Sequence, residues 1–107
     1  PDLGGLFGES SRAEVPIVGQ VGDFTLSGQV DRLAIHGDEV LIVDYKTNRP
    51  PARSPEKIPK IYQRQMAAYK AVLKEIYPKK HVRCFLLWTD IAELMEIPEG
   101  LLNKFTF

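Results

Sequence analysis

Two aspartates and a lysine stand where a folded chain ordinarily keeps apolar side chains. Asp31 lies in Gly28-Gln-Val-Asp31-Arg32, and Asp44 and Lys46 end the run Val40-Leu-Ile-Val-Asp44-Tyr45-Lys46-Thr47. An apolar run such as Val40 to Val43 reads as a buried strand, so ending it in Asp-Tyr-Lys holds a carboxylate and an ammonium beside a core. Such a costly arrangement usually has a chemical use. Strand alternation puts Asp44 and Lys46 on one face and Tyr45 on the other. Asp31 and Asp44 are 13 residues apart, and antiparallel pairing about the turn between them brings both to one region of a sheet. Two carboxylates held close repel, which raises one pKa unless a cation lies between them. A hard divalent ion such as Mg²⁺, with Mn²⁺ as a substitute, answers this through oxygen ligands: one or two carboxylates, water and a substrate phosphate. The backbone carbonyl of Tyr45 is a further candidate ligand. Zinc is disfavoured by the lack of cysteine and histidine clusters. Lys46 is placed to orient or deprotonate a water, or to neutralise charge building on a phosphoryl oxygen.

The elements that must position these groups are legible along the chain. Ala13 to Val18 and Phe24 to Ile35 read as two antiparallel strands, and Phe24, Leu26, Gly28 and Val30 alternate with polar neighbours so that Asp31 falls on the more polar face. His36-Gly37-Asp38-Glu39 reads as a hairpin turn feeding a strand from Val40 to Lys46. Asn48 to Pro59 carries four prolines and three basic residues, which predicts an exposed connection next to the suspected site. Pro59 suits a helix start, and Ile61, Tyr62, Gln65, Met66, Tyr69, Val72, Leu73 and Ile76 recur at helical spacing until Pro78. His81 to Thr89 and Glu93 to Ile97 read as further strands, and a short helix is expected after Pro98. Residues 1–11, rich in glycine and serine, are expected to form a linker, with one domain over residues 12–107. The chain starts at Pro1 and stops at Phe107 in an apolar segment, so a fragment of a longer protein is expected.

Gln65 and Tyr69 stand four apart on the apparent apolar stripe, where a glutamine is unusual. Two readings stand: both reach toward Lys46 or a DNA phosphate, or Tyr69 is ordinary core and Gln65 rims the helix. Net charge is zero, but residues 46–83 hold 11 basic and 2 acidic side chains. Arg49, Arg53, Lys57, Lys60 and Arg64 in that stretch either steer DNA to the site or keep a proline-rich loop soluble. Cys84, the single cysteine, reads as a buried thiol in a reducing cytoplasm, His36 and His81 as surface residues, and Trp88 as core. No apolar run is long enough for a membrane span.

Gly28-x-x-Asp31-Arg32, Val43-Asp44-Tyr45-Lys46-Thr47 and Gln65-x-x-x-Tyr69, in that order, resemble the RecB-type branch of the PD-(D/E)XK nuclease superfamily. The Leu86-Leu87-Trp88-Thr89 run and the overall layout are most similar to the C-terminal nuclease domain of AddA-type helicase-nucleases. The resemblance covers about Arg12 to Ile97. It implies a mixed α/β (α+β) fold of the restriction-endonuclease-like kind, about five strands with one long helix packed on a face. It further implies Mg²⁺ on Asp31 and Asp44, Lys46 as the catalytic lysine, and Gln65 and Tyr69 as an accessory motif. The implied activity is DNA phosphodiester cleavage, as an exonuclease processing double-strand breaks beside an ATP-driven helicase part and an AddB-type partner subunit.

The sequence departs from the pattern at two places. Val30 stands for the proline of the superfamily's name. A helix that supplies an upstream histidine or glutamate is expected before Pro1. Glu14, like Arg32 and Thr47, reads as a supporting residue rather than a metal ligand. An iron-sulfur branch needs four cysteines, so no cluster is expected. Two alternatives stay open. One is a non-catalytic module binding DNA or a partner through the same basic surface. The other is a related phage or resolvase-type nuclease. For single residues the plainer alternatives are a strand-end ion pair of Asp44 with Lys46, and a pairing of Asp31 with Arg32 or Arg12.

Overall fold

A computed structural model describes residues 11–47 and 50–107. Its elements in chain order are β1 (Ser11–Val21), β2 (Phe24–His36), β3 (Glu39–Lys46), α1 (Lys60–Ile76), β4 (His81–Trp88), β5 (Glu93–Ile97) and α2 (Glu99–Leu102). They build a mixed five-strand sheet in the order β1-β2-β3-β4-β5. The first three strands form the expected antiparallel meander, β4 runs parallel to β3 after the α1 crossover, and β5 returns antiparallel. This is the α+β, restriction-endonuclease-like arrangement that the motifs implied. The linker expected over residues 1–11 falls outside the described residues except for Ser11, which opens β1 and accepts a hydrogen bond from Arg32 Nε at 2.9 Å.

The β2–β3 hairpin turns at Gly37-Asp38, with His36 facing Glu39 and Gly37 at φ +58°. A positive φ at the first central residue is the II′ pattern, which costs glycine nothing and matches the twist of paired strands. β1 runs on through Gly19 to Val21, further than the sequence suggested, since only Gly22-Asp23 breaks the pairing with β2. Among the described residues, the proline-rich connection over Pro50 to Pro59 is irregular apart from one 3₁₀ turn at Pro55–Lys57.

α1 begins after Pro59, whose carbonyl accepts from the Tyr62 and Gln63 amides, and ends at Tyr77, where Pro78 forbids another turn. It buries Met66, Tyr69, Val72 and Leu73 against Ile17, Val30, Val40, Ile42, Cys84, Leu86 and Trp88. Each large apolar side chain withdrawn from water here contributes about 1.5–3 kcal/mol. The other face of the sheet carries a smaller cluster of Ala34, Leu41, Val43 and Phe85. Along β3, therefore, Val40 and Ile42 face the helix while Leu41 and Val43 face away, and Asp44 and Lys46 continue the helix-facing row beyond the core's edge.

The expected apolar stripe of α1 needs correction. Ile61 and Ile76 are 73% and 54% exposed, Gln65 is exposed, and Gln63 is buried instead. Small Ala67 and Ala68 turn the buried face away from the one that large side chains suggested. Gln63 is tolerated inside because its amide donates to the Ile58 carbonyl at 2.8 Å, giving both polar groups a partner.

Candidate active site

The β2–β3 ladder runs from His36↔Glu39 to Arg32↔Val43, and one further step sets Asp31 opposite Asp44. No backbone pair forms at that step. Instead the Asp31 carboxylate accepts the Tyr45 amide at 2.7 Å and lies within hydrogen-bonding reach of the Asp44 carboxyl. A change of phase in β2 makes this possible. Leu26 and Val30 join the helix-facing core, yet beyond Asp31 it is Leu33 that does so, and Ala34 belongs to the opposite cluster. On the β1 side, Ala13↔Arg32 and Val15↔Val30 bracket Glu14 opposite Asp31, and Glu14 adopts a left-handed φ of 54°. Irregular strand pairs of this kind re-aim side chains. The simple alternation that put Asp31 on the polar face breaks here, and Asp31 turns toward Asp44.

Asp44 is 7% exposed. Burial first, and then the neighbouring Asp31 carboxyl, push its pKa up to about 6, against the opposing pull of Lys46. Lys46 Nζ stands 2.8 Å from Asp44 Oδ2, donates to Gln65 Oε1 at 3.3 Å, and lies 4.0 Å from the centroid of the Tyr62 ring. Three contacts from two elements therefore fix one ammonium. The Lys46 carbonyl accepts the Thr89 amide at 2.9 Å and its hydroxyl at 3.2 Å, so it faces β4. Because neighbouring residues of a strand direct their N–H and C=O groups to opposite sides, the Tyr45 carbonyl faces β2, the side of Asp31.

Asp31, Asp44 and the Tyr45 carbonyl make an all-oxygen donor set. Among the described residues no group of three or more histidine, cysteine, aspartate or glutamate side chains converges. Two pressed carboxylates, one held partly protonated by burial and repulsion, fit a hard divalent cation that shares its shell with water and phosphate.

Gln65 reaches Lys46, but from an exposed position rather than the core. Tyr69 does not join it. Its ring is buried, and its hydroxyl donates to the Gln29 carbonyl at 3.2 Å. A Cβ at Gly28 would lie 2.6 Å from that hydroxyl, so Gly28 and Tyr69 together seat α1 on β2 three residues ahead of Asp31. Arg32 is tied to Ser11, Thr47 is exposed just past β3, and Glu14 is exposed on β1. Arg53, Lys57, Lys60 and Arg64 are all exposed, while Arg49 lies outside the described residues. Arg53 and Lys57 flank a cleft that includes Trp88, and the Arg64 guanidinium sits 5.5 Å from the Phe24 ring and 5.4 Å from that of Phe107.

Sequence reasoning missed Tyr62, which it read as core. The available signal was an aromatic residue three positions before Gln65, hence on the same side of the helix.

A comparison with curated proteins gave no match. The family model described as PD-(D/E)XK nuclease superfamily matches residues 5–99, and so takes in both aspartates, Lys46 and the whole of α1. Nucleases of that superfamily generally use divalent metal ions, in keeping with the oxygen donors at the end of β3. With the model spanning most of its length, the chain belongs to the PD-(D/E)XK nuclease superfamily.

Proposed function

We propose that the protein is a metal-dependent deoxyribonuclease that hydrolyses DNA phosphodiesters, with Mg²⁺ as its working cation and Mn²⁺ as a substitute. The observation that supports this best is the meeting of Asp31 and Asp44 at the ladder's end with the Lys46 ammonium 2.8 Å from Asp44. Asp31, Asp44 and the Tyr45 carbonyl would hold the cation, which supplies charge neutralisation and lowers the pKa of water at its side. The Lys46 ammonium stands next to that position, where it attracts non-bridging phosphate oxygens and stabilises the negative charge that grows as water adds to phosphorus. One ester P–O bond breaks, and the departing oxygen leaves as a hydroxyl. Gln65 and Tyr62 keep the ammonium from wandering along its flexible stem, so the entropy of fixing it is met before DNA binds. The exposed cations of the proline-rich loop and of the start of α1 add sequence-independent attraction for the phosphate backbone.

The layout of the motifs and the Leu86-Leu87-Trp88-Thr89 run support a narrower reading. In it the domain is the exonuclease module of an AddA-type helicase-nuclease that processes double-strand breaks in the cytoplasm with an AddB-type partner subunit. The test is degradation of linear DNA in Mg²⁺, in chelator, and by Asp44→Asn in Mg²⁺. Degradation is expected in the first condition alone. Cutting that survives chelator, or an Asp44→Asn rate equal to wild type, would contradict the proposal.

A further inference from the structure

A cleft of about 390 Å³ adjoins the site, walled by Pro50, Pro51 and Pro59, flanked by Arg53 and Lys57, and lined on its inner side by Trp88. Trp88 is the β4 neighbour of Lys46, and both side chains lie on the helix-facing side of the sheet, one strand spacing of about 4.8 Å apart. Trp88 is only 1% exposed, and its indole N–H is the one buried side-chain polar atom without a hydrogen-bond partner among the described residues. An indole nitrogen can only donate, and buried donors nearly always find an acceptor.

We infer that this cleft is a nucleotide subsite, which receives a base of the DNA strand next to the cleaved phosphodiester. The inference rests on the nuclease reading above. Proline rings give flat, apolar walls whose backbone is already fixed, so little ordering is needed when a base is laid against them. Arg53 and Lys57 supply charge for the attached phosphate, and no acidic residue lines the cleft. The Trp88 N–H has no solvent-facing surface in the free protein, and it meets an acceptor on the base once the proline wall beside it gives way. A flat apolar body, an anionic group and a hydrogen-bond acceptor together describe a nucleotide, and the volume lies within the range of small-ligand pockets, which starts at roughly 300 Å³.

Trp88 is the chain's single tryptophan, so its fluorescence reports on this place. The experiment titrates a short oligothymidylate into the metal-free protein and follows Trp88 emission, with anisotropy of a labelled strand as an independent measure of binding. An abasic strand of equal length forms the second arm. The expected result is a saturable emission change with oligothymidylate and none with the abasic strand. The Arg53→Ala/Lys57→Ala double variant, altered only at exposed positions, should bind about tenfold or more weakly. Trp88→Phe, followed by anisotropy, should lose about tenfold in affinity with the lost hydrogen bond. Binding that leaves Trp88 emission unchanged, or an equal change with the abasic strand, would overturn the subsite. Lys46-dependent cleavage measured alongside would then still uphold the nuclease reading, whereas an emission response without any cleavage would remove that reading alone.

Discussion

Gly28→Ala should act through a single atom, the Tyr69 hydroxyl. A methyl group at residue 28 would lie 2.6 Å from that oxygen, and 3.1 and 3.3 Å from Cε1 and Cζ of the ring. The first distance is a clash that must be relieved by moving a buried ring or the β2 backbone, and overpacking of this kind costs about 1–3 kcal/mol. Replacing glycine also narrows the unfolded ensemble, which returns about 0.4–1 kcal/mol. The net loss is therefore about 1–2 kcal/mol, or a fall in Tm of roughly 4–8 °C for a domain of this size. Tyr69→Phe removes the clashing oxygen together with its hydrogen bond to Gln29, at about 1 kcal/mol. Once the hydroxyl is gone the nearest ring carbon is 3.1 Å away, a contact that a small shift absorbs. Adding Gly28→Ala to Tyr69→Phe should thus cost close to nothing, and the double-mutant cycle should show coupling of about 1–2 kcal/mol. Thermal or denaturant unfolding followed by circular dichroism measures all four corners. Equal costs for Gly28→Ala in both backgrounds would refute the claim that the glycine exists to admit the tyrosine.

Other consequences can be tested separately. Because the Asp44 pKa is raised from the usual 3.8 to about 6, its protonated form is favoured in the fold. That stabilisation is complete below about pH 4 and is lost as pH rises through 6, a change of up to about 3 kcal/mol. In chelator, Tm should respond accordingly across that window; a cation that binds the ionised pair should oppose the trend, and its apparent affinity should fall about tenfold per pH unit below 6. Burial pushes the Cys84 thiol up to about 12, so thiol reagents should modify it at neutral pH only in unfolded protein; rapid labelling of the native form would contradict its place in the core. Gln65→Ala removes one of the three contacts on Lys46 and, as an exposed change, should leave the unfolding free energy within about 0.5 kcal/mol of wild type while lowering the cleavage rate. An unchanged rate would take Gln65 out of the positioning of Lys46.

The strand that ends in Asp-Tyr-Lys was legible because a hairpin signal stands directly before its continuous apolar run and because side chains alternate along a strand. Those two features determine which side chains of β3 share a face, and Lys46 does lie against Asp44. The relation of Asp31 to Asp44 was legible in position but not in orientation. A left-handed glutamate is not signalled by residue type, and the phase change in β2 depends on how two strands accommodate each other. The helix was found almost to the residue by Pro59 and Pro78, but its buried face was misjudged. Large apolar side chains dominate a periodicity reading, whereas this interface uses Ala67 and Ala68 to approach the sheet and leaves Ile61 in solvent. Tyr62 over Lys46 and the unpartnered Trp88 N–H arise between elements distant in sequence, and no local pattern reports them.

The measurement closest to the central claim is the single-turnover cleavage rate of DNA in saturating Mg²⁺ for wild type and for Lys46→Met, with Tm recorded to show that both are folded. The variant should stay folded while its rate falls by about a hundredfold or more, as loss of one preorganised charge at a phosphoryl centre should produce. Equal rates would show that the Asp44–Lys46 pair only ends a strand and that the chemistry lies elsewhere.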